Sequence, residues 1–102
     1  MAKETREIKR LMIRGIVQGI GYRAWSEREA LALGLKGWVR NRVDGSVEML
    51  LAGAPDQITA MIERCRKGPP LSKVEAIEVE GAAMLDLGLR RPGEAFSLIA
   101  TK

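Results

Sequence analysis

Gly15-Ile16-Val17-Gln18-Gly19-Ile20-Gly21-Tyr22-Arg23 is the stretch on which the reading of this chain turns. On its N-terminal side, Leu11 and Ile13 within Ile8 to Arg14 recur at period two, the spacing of a strand. On its C-terminal side, Tyr22 to Leu33 has the propensity and length of a helix. It stops at Gly34, a residue suited to the left-handed position just past a helix end. The nine residues therefore predict a strand that passes through a glycine-interrupted loop into a helix with arginine in its first turn. Glycines let several backbone N–H groups converge on one small space. The helix N-terminus adds positive potential, and the guanidinium adds a planar fork that fits phosphate oxygens. Together these predict a seat for a phosphate-like dianion. The spacing is not a Walker motif, since no Gly-Lys-Ser/Thr follows, and the glycines are not in the Rossmann order.

Further along, Leu35 to Arg42 and Ser46 to Ala52 predict two more strands. Val43-Asp44-Gly45 joins them with the Asp-Gly signal of a hairpin. Val47, Met49 and Leu51 lie on one face of the third strand, opposite Glu48 and Leu50. Pro55 and Asp56 suit the first turn of a second helix, whose Ile58, Met61, Ile62 and Cys65 form the cleanest amphipathic stripe of the chain. Gly68-Pro69-Pro70 ends it, and Lys73 to Glu80 predicts a fourth strand. The first helix is less regular. Tyr22, Trp25, Ser26, Ala30 and Leu33 share a side with Glu29, while Leu31 lies opposite. Residues 81–95 suggest a short turn covering a sheet edge, and Phe96 to Thr101 a closing strand. The order β-α-β-β-α-β describes an α+β, ferredoxin-like sandwich with two helices on one face of a mainly antiparallel sheet.

At 102 residues the chain is expected to form one domain over 1–102, with 1–7 as a flexible N-terminus. A net charge of +4 fits an anionic partner and equally an ordinary basic surface; no Lys/Arg run marks a nucleic-acid tail. No signal peptide or membrane span is legible, and the single Cys65 excludes an internal disulfide framework. These features point to the cytoplasm. Histidine is absent, so any catalysis must work without imidazole.

Eighteen residues after Arg23 comes Asn41, within Gly37-Trp38-Val39-Arg40-Asn41, followed by Asp44-Gly45 and Val47-Glu48. With Gly15, Val17, Gln18, Gly19 and Arg23 in the loop, and Lys67-Gly68-Pro69-Pro70-Leu71 and Val74-Glu75 later, the chain resembles the acylphosphatase family over roughly residues 8–80. The resemblance implies hydrolysis of acyl phosphates by a water attacking in line, with no metal, cofactor or covalent intermediate. Arg23 and Asn41 match the family's catalytic arginine and water-orienting asparagine. Gln18, Gly19, Ile20, Gly21 and Tyr22 match its phosphate-binding loop, which is expected to hold the phosphate through backbone N–H groups. A monomer acting on a small molecule, without nucleic-acid or membrane partners, is expected.

The competing reading is a non-catalytic ferredoxin-like module that keeps an anion pocket. Retention of both Arg23 and Asn41 argues against it. An RNA reader would need aromatics on its central strands, and Val47 to Leu51 has none. An N-terminal domain of a hydrogenase maturation protein would be followed by zinc-finger cysteines, which are missing here. Trp25 and Trp38 are expected to pack in the core or on the sheet, and Cys65 to be a small core residue. Arg14, Arg40 and Arg42 are expected to be solvated charges that raise the local potential. Asp44 and Glu48 read as a turn residue and a sheet-surface residue rather than an acid–base pair.

Overall fold

A computed structural model describes residues 6–102; the expected flexible N-terminus lies largely outside the described residues, and Glu7 already belongs to the first strand. The elements run β1 (Glu7–Ile16), α1 (Tyr22–Ala32), β2 (Lys36–Asn41), β3 (Val47–Gly53), α2 (Pro55–Lys67), β4 (Lys73–Gly81), a 3-10 helix (Met84–Leu89) and β5 (Phe96–Leu98). The sheet order is β4-β1-β3-β2-β5; every pair is antiparallel except β2–β5, which is parallel. This is the βαββαβ sandwich with one strand appended at the β2 edge.

Both helices cover one face. Leu11, Ile13, Val39, Val47, Met49, Leu51 and Phe96 project from the strands into a single core with Tyr22, Ala30, Ile58, Met61 and Cys65 of the helices. In α2 the predicted stripe is the buried one, Pro55 stands at its start, Asp56 in its first turn and Arg64, Arg66 and Lys67 in its last. The irregular wheel of α1 has a simple cause. Glu29 accepts a hydrogen bond from Arg64 Nη1 of α2 at 3.1 Å, so a carboxylate belongs on that side, while Leu31 is exposed. The helix closes in a Schellman arrangement: Leu35 N–H donates to Ala30 O at 2.9 Å and Gly34 N–H to Leu31 O at 3.0 Å, with Gly34 at φ 71°.

Residues 81–95 depart from expectation. They do not run along an edge; they cross the face left open by the helices. Because β4 and β5 are opposite edges of the sheet, their connection must span its width. It does so over β2, where Trp38 Nε1–H donates to Asp86 O at 2.8 Å and leaves Trp38 only 2% exposed. β5 is shorter than predicted, but Ile99 N–H and Lys102 N–H still donate to Val39 O and Asn41 O at 3.0 and 3.1 Å. The segment after β5 therefore keeps following β2.

Candidate active site

β1 ends in a bulge. Its register with β4 shifts between Arg14 and Gly15, where a Cβ on Gly15 would stand 2.1 Å from Lys73 O. Only glycine permits this approach of the two backbones, and the bulge turns the chain away from the sheet. The loop that follows needs glycine for another reason. Gly19 and Gly21 adopt φ 76° and 82°, the left-handed region, with open space around both. Here backbone conformation rather than crowding selects glycine.

Gly21 is also the N-cap of α1. No side chain caps this end, and its first turn contains no acidic residue. The first N–H groups of the helix therefore lack both intrahelical and side-chain acceptors. Gly21, Tyr22, Arg23 and Ala24 line a hollow of about 160 Å³. Val17, Gln18 and Gly19 form its loop wall, and Asn41 and Leu98 close it from the sheet. This is well below the roughly 300–1,000 Å³ of a drug-sized pocket. It suits a small, strongly charged group.

Of the predicted site residues, the hollow brings together Gln18, Gly19, Gly21, Tyr22, Arg23 and Asn41. The Ile20 side chain packs against the core and anchors the loop from behind, which leaves its backbone as its expected contribution. The Arg23 guanidinium and the Asn41 carboxamide make no hydrogen bond or ion pair with any described residue. Both are thus available to a ligand. Among the described residues no three of His, Cys, Asp or Glu lie together as metal ligands.

Two side chains of the loop have structural duties that composition does not reveal. Gln18 Nε2 donates to Arg42 O at 2.8 Å and to Ser46 O at 2.7 Å, so both amide protons clasp the loop to the β2–β3 hairpin. Tyr22 Oη–H donates to Cys65 O at 2.7 Å, satisfying a carbonyl in the last turn of α2, and its ring lies 5.3 Å from that of Trp25. Burial, with the Cys65 contact, pushes the Tyr22 phenol well above the usual tyrosine range, so it stays a donor. Asp44 is the expected turn residue: hydrogen bonds from Ser46 Oγ and N–H at 2.6 and 2.9 Å hold its carboxyl below the usual range.

The arginines around Asn41 correct the sequence reading. Arg14, Arg40 and Arg42 lie on the face of the sheet opposite the hollow, in ion pairs; Arg40 is largely buried, whereas Arg14 stays solvated, with 43% of its side chain exposed. Arg40 Nε and Arg42 Nη1 donate to Glu48 Oε1 at 2.7 and 3.1 Å, and Arg10 Nε donates to Glu48 Oε2. Arg10 also pairs with Glu80, and Arg14 with Glu78 and Asp44 at 3.4 and 3.5 Å. Glu48, expected on a sheet surface, has a side chain only 3% exposed. Burial alone would raise its carboxyl value, but hydrogen bonds from Arg10 and Arg40 overcome this and the net shift is downward. Sequence alternation places Glu48 on the right face, but it cannot show that this face is covered at the central strand.

A family model described as Acylphosphatase matches residues 9–86. The chain is 56% identical over 97 residues to the acylphosphatase of Bradyrhizobium diazoefficiens, covering 95% of this chain and 98% of that protein. Among solved structures it is similar to an acylphosphatase from Bacillus subtilis, at 33% identity and TM-score 0.78, covering 93% of this chain and 99% of the other. A Coxiella burnetii acylphosphatase aligns at TM-score 0.82 and 26% identity, over 97% of this chain and all of that one.

Proposed function

Because this chain belongs to the acylphosphatase family, we propose that it hydrolyses acyl phosphates to a carboxylate and inorganic phosphate, with Arg23 and Asn41 as the catalytic residues. An acyl phosphate is a mixed anhydride whose carboxylate already leaves well. Neither a strong acid nor a metal is required to expel it. What the reaction needs is a seat for the phosphoryl group, neutralisation of its charge, and a water held in line with the breaking bond.

The loop from Gln18 to Tyr22 and the uncapped start of α1 supply N–H donors for the phosphoryl oxygens. Arg23 adds a fork able to grip two of them at once. The Asn41 carboxamide oxygen accepts a hydrogen bond from the attacking water and directs it, without placing a negative charge beside the phosphate. The water's proton passes to a substrate oxygen, as befits a chain without histidine. The observation that carries this reading is the shared hollow, in which an unpaired arginine and an unpaired carboxamide face one small space. The same reading makes the enzyme a metal-independent, cytoplasmic monomer. The one cysteine, Cys65, is buried and forms no disulfide, in keeping with a reducing compartment.

The test is acetyl phosphate or benzoyl phosphate hydrolysis in the presence of a chelator. Arg23→Lys keeps the charge but loses the fork and is expected to abolish most activity and phosphate inhibition together. Asn41→Ala is expected to lower kcat by about a hundredfold while the inhibition constant of inorganic phosphate changes little. Near-normal turnover by Arg23→Lys, or parallel losses of turnover and phosphate binding in Asn41→Ala, would remove that residue from its role.

A further inference from the structure

We infer that Glu48 is a positioning residue for Asn41, acting through Arg40 and Arg42 from the far side of the sheet. The inference rests on the reading of Asn41 as the amide that directs the attacking water. The Asn41 carboxamide has no hydrogen-bond partner among the described residues, so nothing local fixes its direction. Its aim is inherited from the backbone of β2. That backbone is held laterally, by pairing with Val47 of β3 and by the Lys102 N–H on the Asn41 carbonyl. These bonds fix the strand within the sheet but do not reach the Asn41 side chain itself.

A further constraint comes from behind. Strand alternation puts the two neighbours of Asn41 on the face opposite to it. Both neighbours, Arg40 and Arg42, donate to the same oxygen, Glu48 Oε1. Two tethers that straddle a residue and converge on one point hold its Cα–Cβ direction outward on the other face. Arg40 is further confined by lying over the Trp38 ring, 4.8 Å from its centroid. The carboxylate's second oxygen accepts from Arg10, which ties the assembly to β1, the strand that leads into the phosphate loop. Glu48 thus refers the aim of Asn41 to the same strand that places Arg23. Arg42 has a second connection, since its carbonyl is one of the two that Gln18 clasps.

A double-mutant cycle tests this. Glu48→Gln, Asn41→Ala and the double variant are assayed for kcat with benzoyl phosphate and for inhibition by inorganic phosphate, well below their melting temperatures. Glu48→Gln is expected to lower kcat about tenfold with phosphate inhibition unchanged, and to have no further effect on kcat once Asn41 is alanine. A tenfold loss that persists in the Asn41→Ala background overturns the inference and leaves the reading of Asn41 standing. A silent Asn41→Ala overturns both. Arg42→Ala, whose side chain is 30% exposed and which leaves Glu48 paired with Arg10 and Arg40, serves if Glu48→Gln does not fold. It is expected to show the same dependence on Asn41 with a smaller loss, and additivity there overturns the inference equally.

Discussion

Tyr22 shows how one side chain can serve two ends of the fold. Its backbone opens α1 at the edge of the hollow, while its hydroxyl, 2.7 Å from Cys65 O, satisfies a carbonyl that the end of α2 leaves over. Ser26 Oγ–H in turn donates to Tyr22 O at 2.8 Å from the next turn. Tyr22→Phe keeps the ring and strands the buried carbonyl, so it is expected to lower stability by about 1–2 kcal/mol. Urea unfolding monitored by tryptophan fluorescence measures this, and an unchanged midpoint would mean that water replaces the hydroxyl. From the residue types alone tyrosine here is only an aromatic near a loop. Its partner lies 43 positions away and has no sequence signature.

At the scale of elements, the site exists where the β1–α1 loop meets the β2–β3 hairpin. β1 and β2 are not neighbours in the sheet, because β3 lies between them. The two halves are joined directly by Gln18, whose amide reaches Arg42 O and Ser46 O at either end of the hairpin turn. Gln18→Ala frees the loop to shift against Asn41 while leaving Arg23 on its helix. It is expected to reduce kcat about tenfold and phosphate affinity less. Steady-state kinetics with inorganic phosphate as inhibitor separates the two, and an unaltered kcat would show that the clasp is dispensable. The elements themselves were legible in advance, from the Leu11/Ile13 alternation, the Asp44-Gly45 turn and the Ile58-to-Cys65 stripe. The path of 81–95 was not, since it depends on which edges β4 and β5 occupy.

Over the whole molecule, the two faces of the sheet differ in kind. One is an apolar core under the helices; the other carries a chain of ion pairs from Glu80 through Arg10 and Glu48 to Arg40 and Arg42. Single-strand readers on such sheets stack bases on open-face aromatics, but Trp38 on this face is sealed beneath the 3-10 helix. The ion pairs make stability depend on pH. Glu48 titrates below its ordinary value of 4.5 in the folded protein, so its contribution is complete above that value and fades as pH falls through the lower, folded one. Urea midpoints are therefore expected to drop more steeply below about pH 4.5 in the parent protein than in Glu48→Gln, which has already lost the pairs. Equal slopes would mean that the carboxylate is not paired in solution.

Local features of this protein were readable from the chain alone because backbone sterics act between near neighbours. Glycines at 19 and 21 permit a left-handed loop, Gly34 a helix stop, and alternation a buried strand face. Arg23 at the mouth of the loop follows from the same local rules. Folding in three dimensions settled what depends on residues far apart in sequence. The Ile20 side chain packed against the core, the arginines flanking Asn41 turned away from the hollow, and Glu48 was enclosed at the centre of the sheet. Burial and pairing are properties of the surroundings, and those surroundings are assembled only when β3 is laid between β1 and β2.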